Sequence, residues 1–171
     1  MDYLELPKNQ ALIKHASERQ GIDQNAIETL VTLQGSLGQI NEALEEFLSK
    51  FGLSQGKFNI LLLLMDNSDG LQPSLLAKNI GVTRATITGL LDGLERDGLI
   101  KRDHDRSDRR TMTVRMTPVA LGVMEGVLGE YYRKIGRWMR SVSGGGRRTL
   151  VGVLSSILDR VDENEDEPLP L

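Results

Sequence analysis

Apolar residues recur at steps of three and four along much of the 171-residue chain, the spacing that places them on one face of an α-helix. The longest such pattern covers residues 23–50, where Asp23 can cap the first turn and Gly52 ends the last one. A short helix is also predicted over residues 8–20, and Ser54 is placed to cap a third helix with the core FNILLLLM. The first part of the chain is therefore predicted to be helical.

Two short helical patterns then follow each other with one glycine-containing turn between them. The first, LQPSLLAKNIG, has Pro73 at a first helical position and ends at Gly81. The second, VTRATITGLLDGLERDG, has Thr83 as its N-cap and stops at Gly98. Its apolar residues form a single stripe made of Ile87, Leu90, Leu91 and Leu94. This arrangement predicts a helix-turn-helix.

A β-hairpin is predicted directly after these helices. LIKR is too short and too soon interrupted for a helix, and TMTVRM alternates strictly, with Met112, Val114 and Met116 on one face. Two strands joined by a polar loop after a helix-turn-helix make a winged helix. The predicted fold is mainly α with a small β-hairpin: a winged helix-turn-helix flanked by N- and C-terminal helices.

Two more helices are predicted after the hairpin. Thr117 and Pro118 begin one that runs to about Arg140, and its four glycines predict close packing against another helix. Residues 144–146 are predicted to form a glycine turn before a last helix over residues 147–161. The predicted segments are 1–52 for the N-terminal helices, 53–117 for the winged helix, 118–161 for the C-terminal helices and 162–171 for an acidic, disordered tail.

The exposed face of the second short helix is unusual because its first residues are small. Ala85, Thr88 and Gly89 lie there, with Arg84 and Thr86 on the flanks, where an ordinary surface helix carries Glu, Lys and Gln. Small side chains let a helix sit deep in the major groove, where threonine can bond base edges and alanine can contact a thymine methyl group. Periodicity alone leaves a plain amphipathic helix open as the alternative.

The predicted hairpin loop mixes arginines with aspartates in the stretch RDHDRSDRRTMTVRM. Arg106, Arg109 and Arg110 are suited to pair with phosphates or to enter a minor groove, whose negative potential attracts arginine. Asp105 and Asp108 can hold those guanidinium groups in one geometry, so that less side-chain entropy is lost on docking. The alternative is a solvated loop whose exposed ion pairs contribute about 0–1 kcal/mol. The position of the loop after a helix-turn-helix favours DNA binding.

The charge distribution agrees with a nucleic-acid partner although the net charge of the chain is −3. Residues 78–115 carry nine Lys and Arg against six Asp and Glu, a local net charge of +3, whereas residues 162–171 carry five acidic residues and no basic one. Local clustering decides whether a surface attracts phosphates. The overall acidity therefore does not exclude DNA binding.

Several other classes of protein are disfavoured. The chain has no cysteine, which removes disulfides, thiolate metal sites and thiol-based redox sensing. Its longest apolar run, Ile60–Met65, is far short of a membrane span, and the N-terminus is acidic where a secretory signal is basic, so we expect a cytoplasmic protein. The only histidines are His15 and His104, and the candidate metal ligands Asp103, His104 and Asp105 are adjacent on the predicted hairpin and do not converge easily, so neither a metal nor a cofactor is expected. No catalytic motif predicts an enzyme.

These segments resemble the winged helix of MarR-type (multiple-antibiotic-resistance) transcriptional regulators. The likeness rests on LQPSLLAKNIGVTRATITGLLDGLERDGLIKR, followed by D-x-x-D-R-R and a V-x-M-T strand end, and it covers about residues 53–122. The combination of T-I-T-x-L-L-D-x-L-E-x-x-G-L-I with the spacing from Asp105 to Asp108, Arg109 and Arg110 makes it specific. The chain departs from the family pattern at Lys57, Leu75 and Ala120, where glutamine, glutamate and glycine are frequent.

The resemblance implies a homodimer, held by its N- and C-terminal helices, that binds pseudo-palindromic double-stranded DNA, usually as a repressor. The helix after Thr83 would enter the major groove and the wing the minor groove, with Arg109 as the inserted arginine. The residues expected to contact DNA are Ser74, Thr83, Arg84, Ala85, Thr86, Thr88, Arg106, Arg109 and Arg110. A winged helix that serves only as a protein–protein interaction module is the alternative.

The resemblance also implies release from DNA by a small, often aromatic, ligand that binds between the dimerisation helices and the winged helix. Phe51, Phe58, Tyr131 and Trp138 could line such a pocket, and ordinary core packing is the alternative for each of them. Another branch of the family senses peroxides through a cysteine near its N-terminus, and this chain cannot use that chemistry because it has no cysteine.

Overall fold

A computed structural model describes residues 3–104 and 112–162 of the chain. The elements are α1 (Pro7–Ser17), α2 (Gln24–Ser49), α3 (Gln55–Met65), α4 (Pro73–Ile80), α5 (Arg84–Arg96), β1 (Ile100–His104), β2 (Met112–Met116), α6 (Pro118–Trp138) and α7 (Gly144–Asp162). Two 3₁₀ helices cover Tyr3–Glu5 and Met139–Ser141. The order of these elements confirms the predicted winged helix-turn-helix with helices on either side.

Capping side chains that are visible in the sequence set several helix boundaries. Asp23 caps α2, because its Oδ1 accepts a hydrogen bond from the backbone N–H of Ala26 at 3.1 Å. The hydroxyl of Thr117 accepts from the N–H of Ala120 at 3.3 Å and donates to the carbonyl of Gly98 at 2.8 Å. Thr117 therefore both begins α6 and ties this helix to the turn that ends α5.

The prediction of a glycine turn over residues 144–146 was wrong, because these glycines form the first turn of α7. The hydroxyl of Ser143 accepts from the N–H of Gly146 at 3.1 Å, as an N-cap does. The guanidinium of Arg147 donates to the carbonyls of Met139 at 2.8 Å and Val142 at 3.0 Å. The Ser143 bond satisfies a free N–H group in the first turn of α7, and the Arg147 bonds tie this turn to the segment before it.

The chain separates into two compact units, residues 39–132 and residues 1–38 with 133–171. The 39–132 unit contains α3, α4, α5 and the hairpin, with the C-terminal part of α2 and the N-terminal part of α6. Both boundaries fall inside long helices. The predicted segments 1–52, 53–117 and 118–161 stay a prediction, and residues 163–171 of the predicted tail lie outside the described residues.

The core of the 39–132 unit packs the helix-turn-helix against the hairpin. The stripe predicted on α5 faces this core, since Ile87, Leu91 and Leu94 are at most 2% exposed. Its largest fully buried side chains are Leu48, Phe58, Ile60, Leu61, Leu64, Leu76, Ile87, Leu91, Leu94, Val114, Met124 and Val127. The opposite face of α5 therefore points towards solvent.

The other unit leaves much of its apolar surface exposed. On α7, the side chains of Leu150, Val151, Val153, Leu158 and Val161 are 45–67% exposed. The four glycines of α6 were predicted to pack closely against another helix. In the described part of the chain, nothing outside their own helix backbone lies within 4 Å of a Cβ built at any of these glycines. None of the described helices combines the length and hydropathy needed to cross a membrane.

Candidate nucleic-acid interface

A tight turn connects α4 to α5. Gly81 adopts φ +71°, a left-handed conformation that glycine reaches without strain, and its N–H donates to the carbonyl of Lys78 at 3.3 Å. The N–H of Val82 donates to the carbonyl of Ala77 at 3.0 Å. These bonds close the end of α4, so that α5 begins three residues later with its first turn exposed.

The threonines at the start of α5 are fixed by local hydrogen bonds. Thr83 caps the helix by accepting from the N–H of Thr86 at 3.1 Å, and the two hydroxyls lie 2.8 Å apart. The hydroxyl of Thr88 donates to the carbonyl of Arg84 at 2.9 Å. A hydroxyl has one proton to donate and two lone pairs, so Thr88 can only accept from an external group. In a major groove this matches the amino groups of adenine and cytosine.

The described residues predicted to contact DNA are all exposed. They are Ser74 on α4 and Thr83, Arg84, Ala85, Thr86 and Thr88 at the start of α5. A Cβ built at Gly89 meets nothing within 4 Å, so the surface beyond these residues is open. The structure thus brings five of the six to one end of α5 and places Ser74 on the helix before it.

The exposed cations of the helix-turn-helix have no partner in the part of the chain that the structure describes. Arg84 on α5 and Lys78 on α4 are both exposed, and neither side chain makes a hydrogen bond or an ion pair there. An unpaired guanidinium beside small side chains is suited to phosphate or to the edge of guanine. The sequence shows that both residues are charged, but it does not show that neither has a partner among the described residues.

Arg102 of β1 pairs with two carboxylates of α5. Its Nη2 donates to Oδ1 of Asp92 at 2.6 Å, and its Nε lies 3.5 Å from Oε2 of Glu95. The Arg102 side chain is 19% exposed, whereas those of Asp92 and Glu95 are 59% and 44% exposed. Sequence reasoning missed this contact, which joins the first strand of the wing to the exposed helix.

Lys57 of α3 neutralises a third carboxylate, at the end of α5. Its ammonium group donates to Oδ2 of Asp97, and Gly93 leaves room for the lysine stem, since a Cβ there would lie 3.0 Å from Cε of Lys57. The hydrogen bond from Lys57, helped by the charges of Lys57 and Arg96, holds the pKa of Asp97 below its ordinary value of 3.8. Every carboxylate on α5 and at its C-cap therefore has a cationic partner.

The wing is a two-stranded antiparallel sheet of β1 and β2. Leu71, in the loop before α4, forms one additional bridge to β2. Ile100 pairs with Met116 and His104 with Met112. Leu71 also pairs with Val114, through N–H to carbonyl bonds of 3.0 Å and 2.8 Å. This bridge was not predicted from the sequence, although the glycine at position 70 is a local signal for it. Gly70 has φ +82°, and a Cβ there would lie 2.5 Å from the carbonyl oxygen of Val114.

The tip of the hairpin lies outside the described residues. Arg106, Arg109 and Arg110 belong to it, as do Asp105 and Asp108. The predicted bracing of the arginines by the aspartates therefore stays a prediction. In the described part of the wing, Asp103 is itself paired, with Nε of Arg115 at 3.3 Å and Nζ of Lys101 at 3.7 Å.

Three of the four aromatic residues predicted to line a ligand pocket lie in one cluster. The ring of Phe58 is centred 4.9 Å from that of Tyr131, and Phe47 lies 5.3 Å from Phe51 and 6.3 Å from Tyr131. Phe58 is 2% exposed and belongs to the core, whereas Phe51 and Tyr131 are half-buried. Trp138 belongs to the other unit, is 36% exposed and has the ammonium of Lys134 5.0 Å from its ring centre.

Comparison with known proteins decides the family. Residues 53–112 match the model of the MarR family. The chain is also 35% identical to the HTH-type transcriptional repressor YetL of Bacillus subtilis over 167 residues, which cover 97% of this chain and 100% of that protein. The chain belongs to the MarR family. The resemblance drawn from the sequence is thereby confirmed.

Solved structures of MarR-family proteins share the fold. The S. aureus MepR–DNA complex superposes with a TM-score of 0.68 at 21% identity, covering 75% of this chain and 94% of that one. CouR from Rhodococcus jostii RHA1, bound to p-coumaroyl-CoA, gives a TM-score of 0.63 at 24% identity, covering 74% of this chain and 89% of that one.

Membership of the MarR family makes this protein a transcriptional regulator with a winged helix-turn-helix. The alternative of a winged helix that serves only as a protein–protein module finds no support in its relatives. Lys57, one of the departures from the family pattern, has a structural role in this chain because it pairs with Asp97. Ala120, another departure, is fully buried where α6 begins.

Proposed function

We propose that the protein is a homodimeric repressor that binds pseudo-palindromic double-stranded DNA, with α5 in the major groove and the wing at the minor groove. The observation that carries this proposal is the charge pattern of α5. Its carboxylates are paired with Arg102 and Lys57, while Arg84 at the exposed start of the helix is unpaired in the described part of the chain. Such a helix presents positive potential and small side chains to a nucleic acid.

The roles of individual residues follow from this placement. Arg84 would contact a guanine edge or a phosphate, and Thr88 would accept from a base amino group because its own proton is used within the helix. Ser74, Thr83 and Thr86 would position α4 and α5 on the backbone. Arg106, Arg109 and Arg110 would contact the minor groove and its phosphates, with Asp105 and Asp108 as supports.

DNA selection with the purified protein tests this function, followed by fluorescence anisotropy with the selected site. Arg84→Ala is expected to lower the affinity about 5- to 150-fold for each half-site, the range for one good base contact, and by the square of that factor for the dimer. Arg148→Ala is the matched control, since Arg148 is an exposed arginine of α7, outside the winged helix. Equal affinities of wild type and Arg84→Ala would refute the placement of α5.

The exposed apolar face of α7 supports the homodimer. Side chains such as Val151 and Val161, which are 63% and 67% exposed in the single chain, gain free energy when a second copy covers them. Light scattering is expected to give twice the chain mass of 19.0 kDa. A mass of one chain at micromolar concentration would refute the dimer.

Release by a small aromatic ligand completes the proposed function. The half-buried rings of Phe51 and Tyr131 sit beside Phe58 and offer stacking surfaces for such a ligand. A panel of small aromatic acids and thioesters, tested for release of labelled DNA, would identify the effector, and release that survives Tyr131→Ala would exclude this cluster. We further propose that the protein acts in the cytoplasm and by binding rather than by catalysis.

A further inference from the structure

Three arginines form a patch at the C-terminal end of α6 and in the 3₁₀ helix that follows it. Arg133, Arg137 and Arg140 follow each other at steps of four and three, and together with Gly136 they line a surface cavity of about 620 Å³. All three side chains are exposed, and within residues 3–104 and 112–162 none of them has a hydrogen bond or an ion pair. These residues are termed the arginine patch.

The dipole of α6 accounts for only part of this patch. Cations are favoured in the last turn of a helix, which explains an arginine at position 137. Arg133 lies more than a turn before the end of α6 at Trp138, and like charges four residues apart oppose helix formation. An anionic partner would turn this repulsion into attraction, and Gly136 keeps the space between the guanidinium groups open.

The chain itself contains a segment of matching charge. Residues 131–158 include six Lys and Arg and no acidic residue, whereas residues 159–171 include six Asp and Glu and one Arg. Four of these acidic residues follow α7 within five positions: Glu163, Glu165, Asp166 and Glu167. We propose that residues 163–167 of one copy bind the arginine patch of a second copy. This inference rests on the homodimer of the proposed function.

The reach of the segment favours the second copy over the same chain. α7 runs from Gly144 to Asp162, about 27 Å at 1.5 Å per residue. Glu167 lies five residues beyond Asp162, at most about 17 Å in an extended chain, so the acidic residues fall short of the start of their own α7. Two α7 helices that cover each other's apolar face in opposite directions would place each acidic segment beside the other chain's Arg140.

Engineered cysteines in the full chain can test this contact, since the native protein has none. Gly136→Cys places a thiol inside the patch without removing an arginine, and nothing lies within 4 Å of the new Cβ. Asn164→Cys places a thiol in the acidic segment without removing a carboxylate. Oxidation of the double variant with diamide is expected to give a disulfide-linked dimer on a non-reducing gel, above the background set by each single variant.

The dimer band must depend on the patch for the inference to hold. Adding Arg133→Gln, Arg137→Gln and Arg140→Gln is expected to slow its formation roughly tenfold, the effect of losing three exposed ion pairs. The control with Lys8→Gln, Arg19→Gln and Lys78→Gln removes equal charge elsewhere and is expected to leave the rate unchanged. An internal disulfide, no disulfide, or a dimer band insensitive to the patch would each overturn the inference. Light scattering of the reduced protein checks the homodimer separately.

Discussion

Arg102→Met tests whether an arginine of the wing controls the net charge on the exposed face of α5. The methionine keeps most of the apolar stem of Arg102, which is 19% exposed, but removes the guanidinium that holds Asp92 and Glu95. Two carboxylates on α5 then lose their partner on the side of the helix that we place against DNA. The substitution therefore affects both folding stability and DNA affinity, by amounts that can be estimated separately.

The expected loss of stability is small. A hydrogen bond to a charged group contributes about 1.5–3 kcal/mol when it is buried. Because Asp92 is 59% exposed and Glu95 is 44% exposed, solvent screening reduces the contribution of this pair to about 1 kcal/mol. Urea denaturation followed by circular dichroism would measure it, and the protein should remain folded in the binding assay.

The expected loss of DNA affinity is doubled because the dimer carries the change twice. Removing the single guanidinium charge of Arg102 leaves one more uncompensated negative charge per subunit, which costs about 0.5 kcal/mol in water at roughly 8 Å from a phosphate. That corresponds to about twofold for one half-site and about fivefold for the dimer. Fluorescence anisotropy at low salt should detect the loss, and it should shrink as salt increases.

A rescue variant separates charge from direct contact. Combining Arg102→Met with Asp92→Asn and Glu95→Gln removes the exposed charges, and we expect this triple variant to recover most of the wild-type affinity. Lys101→Met is the control, since Lys101 is 60% exposed and pairs only with Asp103 among the described residues. If the triple variant binds no better than Arg102→Met alone, charge neutralisation is not the role of Arg102.

Three further substitutions have defined outcomes. In Asp97→Asn, stability should fall at pH 7 and approach that of wild type in acid. The lowered pKa of Asp97 stabilises the fold above its ordinary value of 3.8, and this stabilisation is lost as pH falls through the lower folded value; acid titrations of unfolding against Asp69→Asn would show it. Gly70→Ala should lower the melting temperature more than Gly52→Ala. Both glycines have positive φ, but only at Gly70 does the new Cβ meet a carbonyl oxygen, at 2.5 Å. Equal shifts in melting temperature would contradict this close approach. Thr83→Ala should cost about 1 kcal/mol by loss of the N-cap, measurable in urea, and an unchanged midpoint would contradict the cap.

Local signals in the sequence were sufficient for the helix-turn-helix and the wing. The stripe that includes Ile87 and Leu91, the caps at Asp23 and Thr83, and the alternation around Val114 act over a few residues, so each could be interpreted without knowing the rest of the fold. The glycine run before Arg147 misled because glycine is common in turns, whereas here Ser143 and Arg147 complete a helix start around it.

The contacts that shape the candidate interface could not be predicted in the same way. Arg102 and Asp92 are ten residues apart, and Lys57 and Asp97 are forty apart, so their pairing depends on how β1, α3 and α5 pack. Sequence shows which residues are charged but not which charges cancel. Arg84 can be recognised as unpaired only from the structure, which shows that Arg102 and Lys57 are the partners of the carboxylates near α5.

Hydroxyl-radical footprinting on a selected DNA site tests the central claim most directly. A two-fold dimer that reads DNA through α5 and the wing should protect two half-sites about one helical turn apart on one face of the duplex. Arg84→Ala should weaken protection of both half-sites together, and Arg109→Ala should weaken it at the flanking minor grooves without changing the melting temperature. A single asymmetric protected site, or a footprint that neither substitution alters, would contradict the account.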